Sequence, residues 1–252
     1  MLVYRRGFAD SHVIRFWMMS QTAIRDKVAE IRGRIAAAAA KAGRPEEEIT
    51  LIAVSKTHPA DAIQEAFEAG VRHFGENRVQ EWEGKRGAVA ELGAQWHLLG
   101  HLQSNKAARA AKIFHSVDSV DDFAVAERLD RARAEMGGRE KLRLLIEVRV
   151  AAEDTKSGVE KEQLPELACK ICGLKQLTVA GLMCIPPFLE DAEAVRPYFA
   201  ELRRLKEGLE ARLGWKLPVL SMGMSHDFEI AIAEGATEVR VGTALFGVRE
   251  TR

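Results

Sequence analysis

ITLIAVSK, residues 49–56, is apolar and β-branched up to Ser55 and Lys56, and ADAIQEAFEAG (60–70) follows it with helical spacing and a closing glycine. A strand without polar alternation must be covered on both faces, and the helix after it supplies one cover. The couplet recurs. VRHFG (71–75), QWHLLG (95–100), KIFHSV (112–117), LRLLIEVRV (142–150), LTVAGLMCI (177–185), LPVLSMG (217–223) and TEVRVG (237–242) read as further strands, each separated from the next by helical sequence. The clearest helix is 194–213, where Val195, Tyr198, Phe199, Leu202, Leu205, Leu209 and Leu213 form one stripe. Such alternation implies an α/β class with parallel pairing, and eight units in 252 residues predict a single (β/α)₈ TIM barrel. A doubly wound open sheet competes, but no G-x-G-x-x-G follows the first strand and no G-x-x-x-x-G-K-[ST] occurs.

Upstream, Ile24, Val28, Ile31 and Ile35 mark an amphipathic helix stopped at Gly43 and Pro45, so the barrel is preceded by an N-terminal helix. Residues 1–19 read differently. Arg15 interrupts their apolar stretch and no small-residue cleavage site follows, which argues against a signal peptide. An Arg-rich transit sequence is one reading; a disordered or misassigned start is the preferred one, with the barrel domain at 20–252.

With 37 basic and 37 acidic side chains the net charge is zero, so no sequence-independent hold on nucleic acid is expected and the partner is a small molecule. No apolar run approaches the ~20 residues of a membrane span. Three cysteines, at 169, 172 and 184, are too few for a disulfide framework and point to a reducing, cytoplasmic setting. Cys169 and Cys172 form a C-x-x-C without a second pair, which reads as helix packing rather than zinc or redox work.

In a TIM barrel the chemistry sits at the carboxyl ends of the strands. Lys56 ends the first strand, Glu76 and Asn77 the second; Gly100 and His101 follow the third; Ser116 and Asp118 close the fourth. Ser221, Gly223 and Ser225 end the seventh, Gly242 and Thr243 the eighth. A lysine in the barrel mouth is partly desolvated, which favours the neutral amine that attacks carbonyls; it also reads as a side chain snorkelling to water. Ser225 is placed to cap a helix over 225–235, and Gly242 and Thr243 offer close backbone approach and a hydroxyl, in the loops where this barrel habitually holds phosphate. Ordinary capping and turn chemistry is the alternative. A phosphate site opposite a nucleophilic lysine suits pyridoxal 5′-phosphate (PLP). Arg240, sharing a strand face with Gly242, could bond the pyridine nitrogen and keep it unprotonated, or pair with Glu147 in the barrel core. A metal-dependent hydrolase built on His97, His101 and His115 would need acidic partners, with Glu76 and Asp118 the nearest.

AVSKTHP (53–59), HFGENRVQE (73–81), WHLLGHLQSNK (96–106), HSVDS (115–119), LMCIPP (182–187) and LSMGMSHDFEIAIAEGATEVRVGTALFG (220–247) resemble the YggS/PROSC family of PLP homeostasis proteins, with a fold like the amino-terminal domain of alanine racemase. The resemblance runs from about 24 to 247. It implies Lys56 as the Schiff-base lysine, Asn77 beside the cofactor, Arg240 facing the pyridine nitrogen, and Ser225, Gly242 and Thr243 on the phosphate, with Ser221 and Met222 on the same cofactor-side strand. Arg149 and Arg78 depart from the family pattern, which commonly has Asn and Tyr there, and Arg149 is left outside the site; Lys156 and Gly158 match. The resembling racemases take a second base, a Tyr, from a separate domain, whereas this chain stops soon after Thr243 and has only Tyr4 and Tyr198. The expectation is a monomeric PLP carrier that stores, buffers or delivers the cofactor to apo-enzymes without efficient turnover. A PLP enzyme with slow racemase or eliminase activity is the runner-up.

Overall fold

Side chains alternate across a strand. In β1 (Thr50–Val54), Ile52 and Val54 form an inner cluster with Leu99, while Leu51 and Ala53 join the layer beneath the helices. The computed structural model describes residues 11–137, 140–151 and 157–247, with side chains from Ile24 onward. Around β1 stand β2 (His73–Glu76), β3 (Gln95–Leu98), β4 (Ser116–Val120), β5 (Leu142–Glu147), β6 (Leu177–Met183), β7 (Val219–Met224) and β8 (Glu238–Val241), all parallel and in chain order. β8 returns to β1 through the pairs Thr50–Glu238 to Ala53–Val241, which closes the barrel. The expected (β/α)₈ architecture is the one observed.

Helix α1 (Ser11–Lys41) buries Ile24, Val28, Ile31 and Ile35 and lies against α2 (Ala60–Glu68), α8 (Phe228–Ala233) and α9 (Thr243–Phe246). It runs back past the 19/20 boundary at which the folded chain was expected to begin; residues 1–10 lie outside the described part. The remaining cover comes from α3 (Val79–Val89), α4 (Ala107–Ile113), α5 (Phe123–Glu135), α6 (Leu164–Cys172) and α7 (Arg196–Leu213). Cys169 and Cys172 sit on α6 as free thiols, one exposed and one half-buried.

One strand is displaced from its expected place. KIFHSV (112–117) is not a strand: Lys112 and Ile113 end α4, and β4 begins at Ser116. The small residues Ala107, Ala110 and Ala111 let α4 pack closely and favour helix, whereas Asp118, a poor strand former, is held in β4 by partners inside the barrel. Ser116 and Asp118 therefore open β4 and face its interior rather than closing it.

Between barrel and helices, Trp82 of α3 stacks on Trp96 of β3 with ring centroids 3.7 Å apart, and Trp96 stacks on Phe74 of β2 at 5.2 Å. The Trp82 indole also donates to the Ile113 carbonyl at 3.1 Å. Such aromatic pairs add about 0.5–1.5 kcal/mol beyond area burial. They fix α3 against β2 and β3.

Candidate functional site

Past Val54 the chain makes a tight turn. The Ser55 amide donates to the Gly75 carbonyl at 3.0 Å, and the His58 amide returns to the Ser55 carbonyl at 3.1 Å, leaving Lys56 and Thr57 at the two central positions. Thr57 has φ 68°, at the position where a type II turn requires a positive value. Lys56 is half-buried in this turn, at the barrel end toward which Ile52 and Val54 line the lumen.

On the neighbouring strand, Arg240 pairs in register with Ile52 and is buried. Its Nη1 donates to Ser221 Oγ at 2.8 Å and its Nη2 to the Cys184 carbonyl at 2.7 Å. The alternative of an Arg240–Glu147 ion pair is not what forms. A Cβ placed on Gly242 would lie 3.3 Å from Val54 Cβ, so glycine lets the exit of β8 press against the end of β1. Thr243 then opens α9, exposed at the rim. Ser225 does not cap α8: its hydroxyl accepts from the Ala244 amide at 3.2 Å, tying the loop after β7 to the one after β8, and the cap position falls to Asp227. Asp227 accepts from the Met224 amide at 2.6 Å and holds that loop from within.

The fold thus gathers Lys56, Ser225, Gly242 and Thr243 at one rim, with Arg240 and Ser221 just below them and Asn77 directly after β2. Met222 stands apart, because its fully buried side chain belongs to the layer between barrel and helices. Arg149 turns away to pair with Glu160 at 2.5 Å, and Arg78 is exposed. Lys156 lies outside the described residues.

Glu147 has a larger part than a partner for Arg240. Ending β5 inside the barrel, its carboxyl is pushed up to about 7 by burial first and by Asp121 second, with Arg240 offsetting part of this. Its position as the carboxylate that ends LRLLIE was the available signal. Cys184 is equally deep, and burial pushes its thiol up to about 12, so it packs rather than reacts.

A second polar group fills the opposite end of the lumen. Asp118 accepts from His97 Nδ1 at 2.9 Å, His97 Nε2 meets His73 Nδ1 at 3.0 Å, and Arg143 bonds Ser116 Oγ at 2.7 Å and also Glu238. His97, Asp118 and Glu238 present atoms within 4.8 Å of one another, yet the Arg143 guanidinium already supplies the cation among them. His101 instead faces Asp121 at 3.5 Å, and His115 Nδ1 accepts from the Trp96 amide at 3.0 Å. The three histidines of the hydrolase reading do not converge.

The family described as "Alanine racemase, N-terminal domain" matches residues 27–250. The chain belongs to that family. Within it, the chain is 43% identical over 225 residues to the pyridoxal phosphate homeostasis protein of Aquifex aeolicus, covering 89% of this chain and 98% of that one. The protein of the same name from Escherichia coli K12 is 44% identical over 234 residues, at 90% and 97% coverage. PipY of Synechococcus elongatus PCC7942, solved with PLP bound, superposes with a TM-score of 0.79 at 41% identity, covering 89% of this chain and all of that one. Alanine racemase of Clostridium difficile shares the barrel alone, with a TM-score of 0.67 at 17% identity, and this chain spans 58% of its length. Among the described residues no helix is long and apolar enough to cross a membrane.

Proposed function

We propose that this protein binds pyridoxal 5′-phosphate through Lys56 and serves intracellular PLP homeostasis, storing, buffering or delivering the cofactor without efficient turnover. The observation that carries the reading is the meeting, at one rim, of a half-buried lysine in the turn after β1 with a loop pair clasped by Ser225 and Ala244 and a glycine pressed on Val54. The residues fit the group. PLP brings an aldehyde for an amine, a phosphate for backbone amides and hydroxyls, and a ring nitrogen for a donor; Lys56, Ser225 with Gly242 and Thr243, and Arg240 are those partners in that order. Two of the five guanidinium donors of Arg240 hold Ser221 and the Cys184 carbonyl, which fixes its plane and leaves donors for a ligand. Asn77 flanks the mouth from β2. The relatives named for PLP homeostasis and the PLP-bound PipY support the same reading. A cytoplasmic monomer that hands PLP to apo-enzymes completes it.

The test is covalent trapping. Condensation of the Lys56 amine with the aldehyde releases one water, and borohydride reduces the resulting C=N bond to a stable secondary amine. Peptide mass analysis should place the added mass on Lys56; an unmodified Lys56 in PLP-loaded protein would overturn the assignment. Amino acids added singly to the loaded protein should give no turnover near ~1 s⁻¹, the lower end of ordinary enzymes.

A further inference from the structure

Lys56 rides on a turn that a threonine does not favour. Thr57 is the only non-glycine residue with positive φ among the described residues, and a branched Cβ makes that conformation costly. Such a conformation persists only where its surroundings over-determine it, and here the surroundings are two side chains of α3. Glu81 Oε1 accepts the Thr57 amide, and Lys85 Nζ donates to the Ser55 carbonyl at 2.8 Å. Lys85 also bonds Glu81 at 3.2 Å and the buried Glu76 at 3.0 Å, where the Ser55 hydroxyl arrives at 2.7 Å. These bonds grip the residue on each side of Lys56. The helix that delivers them cannot shift freely, since Trp82, lying between the two positions, is stacked on Trp96.

We propose that Glu81 and Lys85 are positioning residues, holding the Ser55–His58 turn in its unfavourable conformation so that the Lys56 amine is presented ready for an aldehyde. The proposal rests on the reading of Lys56 as the PLP-binding lysine, and neither residue need touch the cofactor. Thr57 makes the device testable: glycine at that position adopts positive φ without penalty, so the turn would no longer need its clamp.

The experiment compares wild type with Glu81→Ala, Glu81→Gln, Thr57→Gly and the Thr57→Gly/Glu81→Ala double variant. Amide hydrogen exchange over residues 55–58 is followed in PLP-free protein, and PLP condensation at Lys56 by absorbance and borohydride trapping. E81A should exchange faster in this segment and condense about tenfold more slowly or worse, as expected when a reacting group is misplaced. E81Q, which keeps an acceptor for the Thr57 amide, should recover most of the rate, and so should the double variant. Wild-type exchange and rate in E81A would overturn the proposal, as would a slow E81A that neither E81Q nor T57G restores. If wild type forms no adduct at Lys56, the functional reading fails, while the exchange comparison still decides whether the clamp exists.

Discussion

Lys85 shows how much one side chain can be asked to do. Its ammonium is the cation facing Glu76, whose carboxyl is fully buried and raised mainly by that burial, with the Ser55 hydroxyl and Lys85 pulling the other way. Removing one member of a buried pair typically costs about 3–5 kcal/mol, because the other charge is stranded. Lys85→Met should therefore destabilise the fold at neutral pH. Glu76 escapes by taking up a proton, so the penalty should shrink as pH falls toward 5, and urea denaturation of the variant against wild type at both pH values checks it. Gly223 is a sharper case. Its φ is +91°, and a Cβ there would lie 2.6 Å from that of Ala231 and 2.9 Å from the Phe228 backbone. Gly223→Ala should cost more than about 1 kcal/mol, beyond the usual glycine-to-alanine gain, and should loosen the Ser225 loop. A thermal melt reads the first effect, and weakened PLP binding the second.

At the scale of elements, what could be read in advance was whatever local pattern encodes. Seven strands lay where short runs between turn signals put them, and some of these, β1 above all, are apolar along most of their length because both faces of the strand are covered. The fourth was displaced because Ile113 and Phe114 look strand-like while the alanines before them make helix, and because Asp118 is held there by His97 and Arg143 on other strands as well as by Ser116. The rim residues Lys56, Asn77, Gly242 and Thr243 were legible as strand ends. The helix α3 was not: Glu81 and Lys85 stand four apart, which reads as a solvent-exposed ion pair, and nothing in their spacing reveals that both reach across to the turn after β1. Ser225 went wrong for the same reason, since a serine before a helix suggests capping and only the fold brings Ala244 to it.

For the whole molecule, His73 and Glu147 in the barrel are titrating groups moved in opposite senses. His73 is lowered from 6.5 to about 4, chiefly by burial, so its neutral form contributes stability present above 6.5 and lost as pH falls through 4. Glu147 is raised from 4.5 to about 7, so its contribution is present below 4.5 and lost as pH rises through 7. Over the shared window the two oppose each other. Relative to wild type, His73→Gln should make stability fall more steeply as pH rises from 4 to 6.5, and Glu147→Gln should make it rise more steeply from 4.5 to 7. Denaturation midpoints across that range measure both slopes, and parallel profiles for all three proteins would refute the assignment. The closing seam has a consequence of another kind. Among the described residues β1 and β8 are the first and last strands made during synthesis, and the pairing of Ala53 with Val241 brings the end of β1, with the turn that carries Lys56, to the exit of β8. A nascent chain therefore holds the proposed amine long before it holds the proposed phosphate loops, and a ligand needing both would recognise only the closed barrel. A ligand that spans the seam would favour the closed state over an open one by mass action.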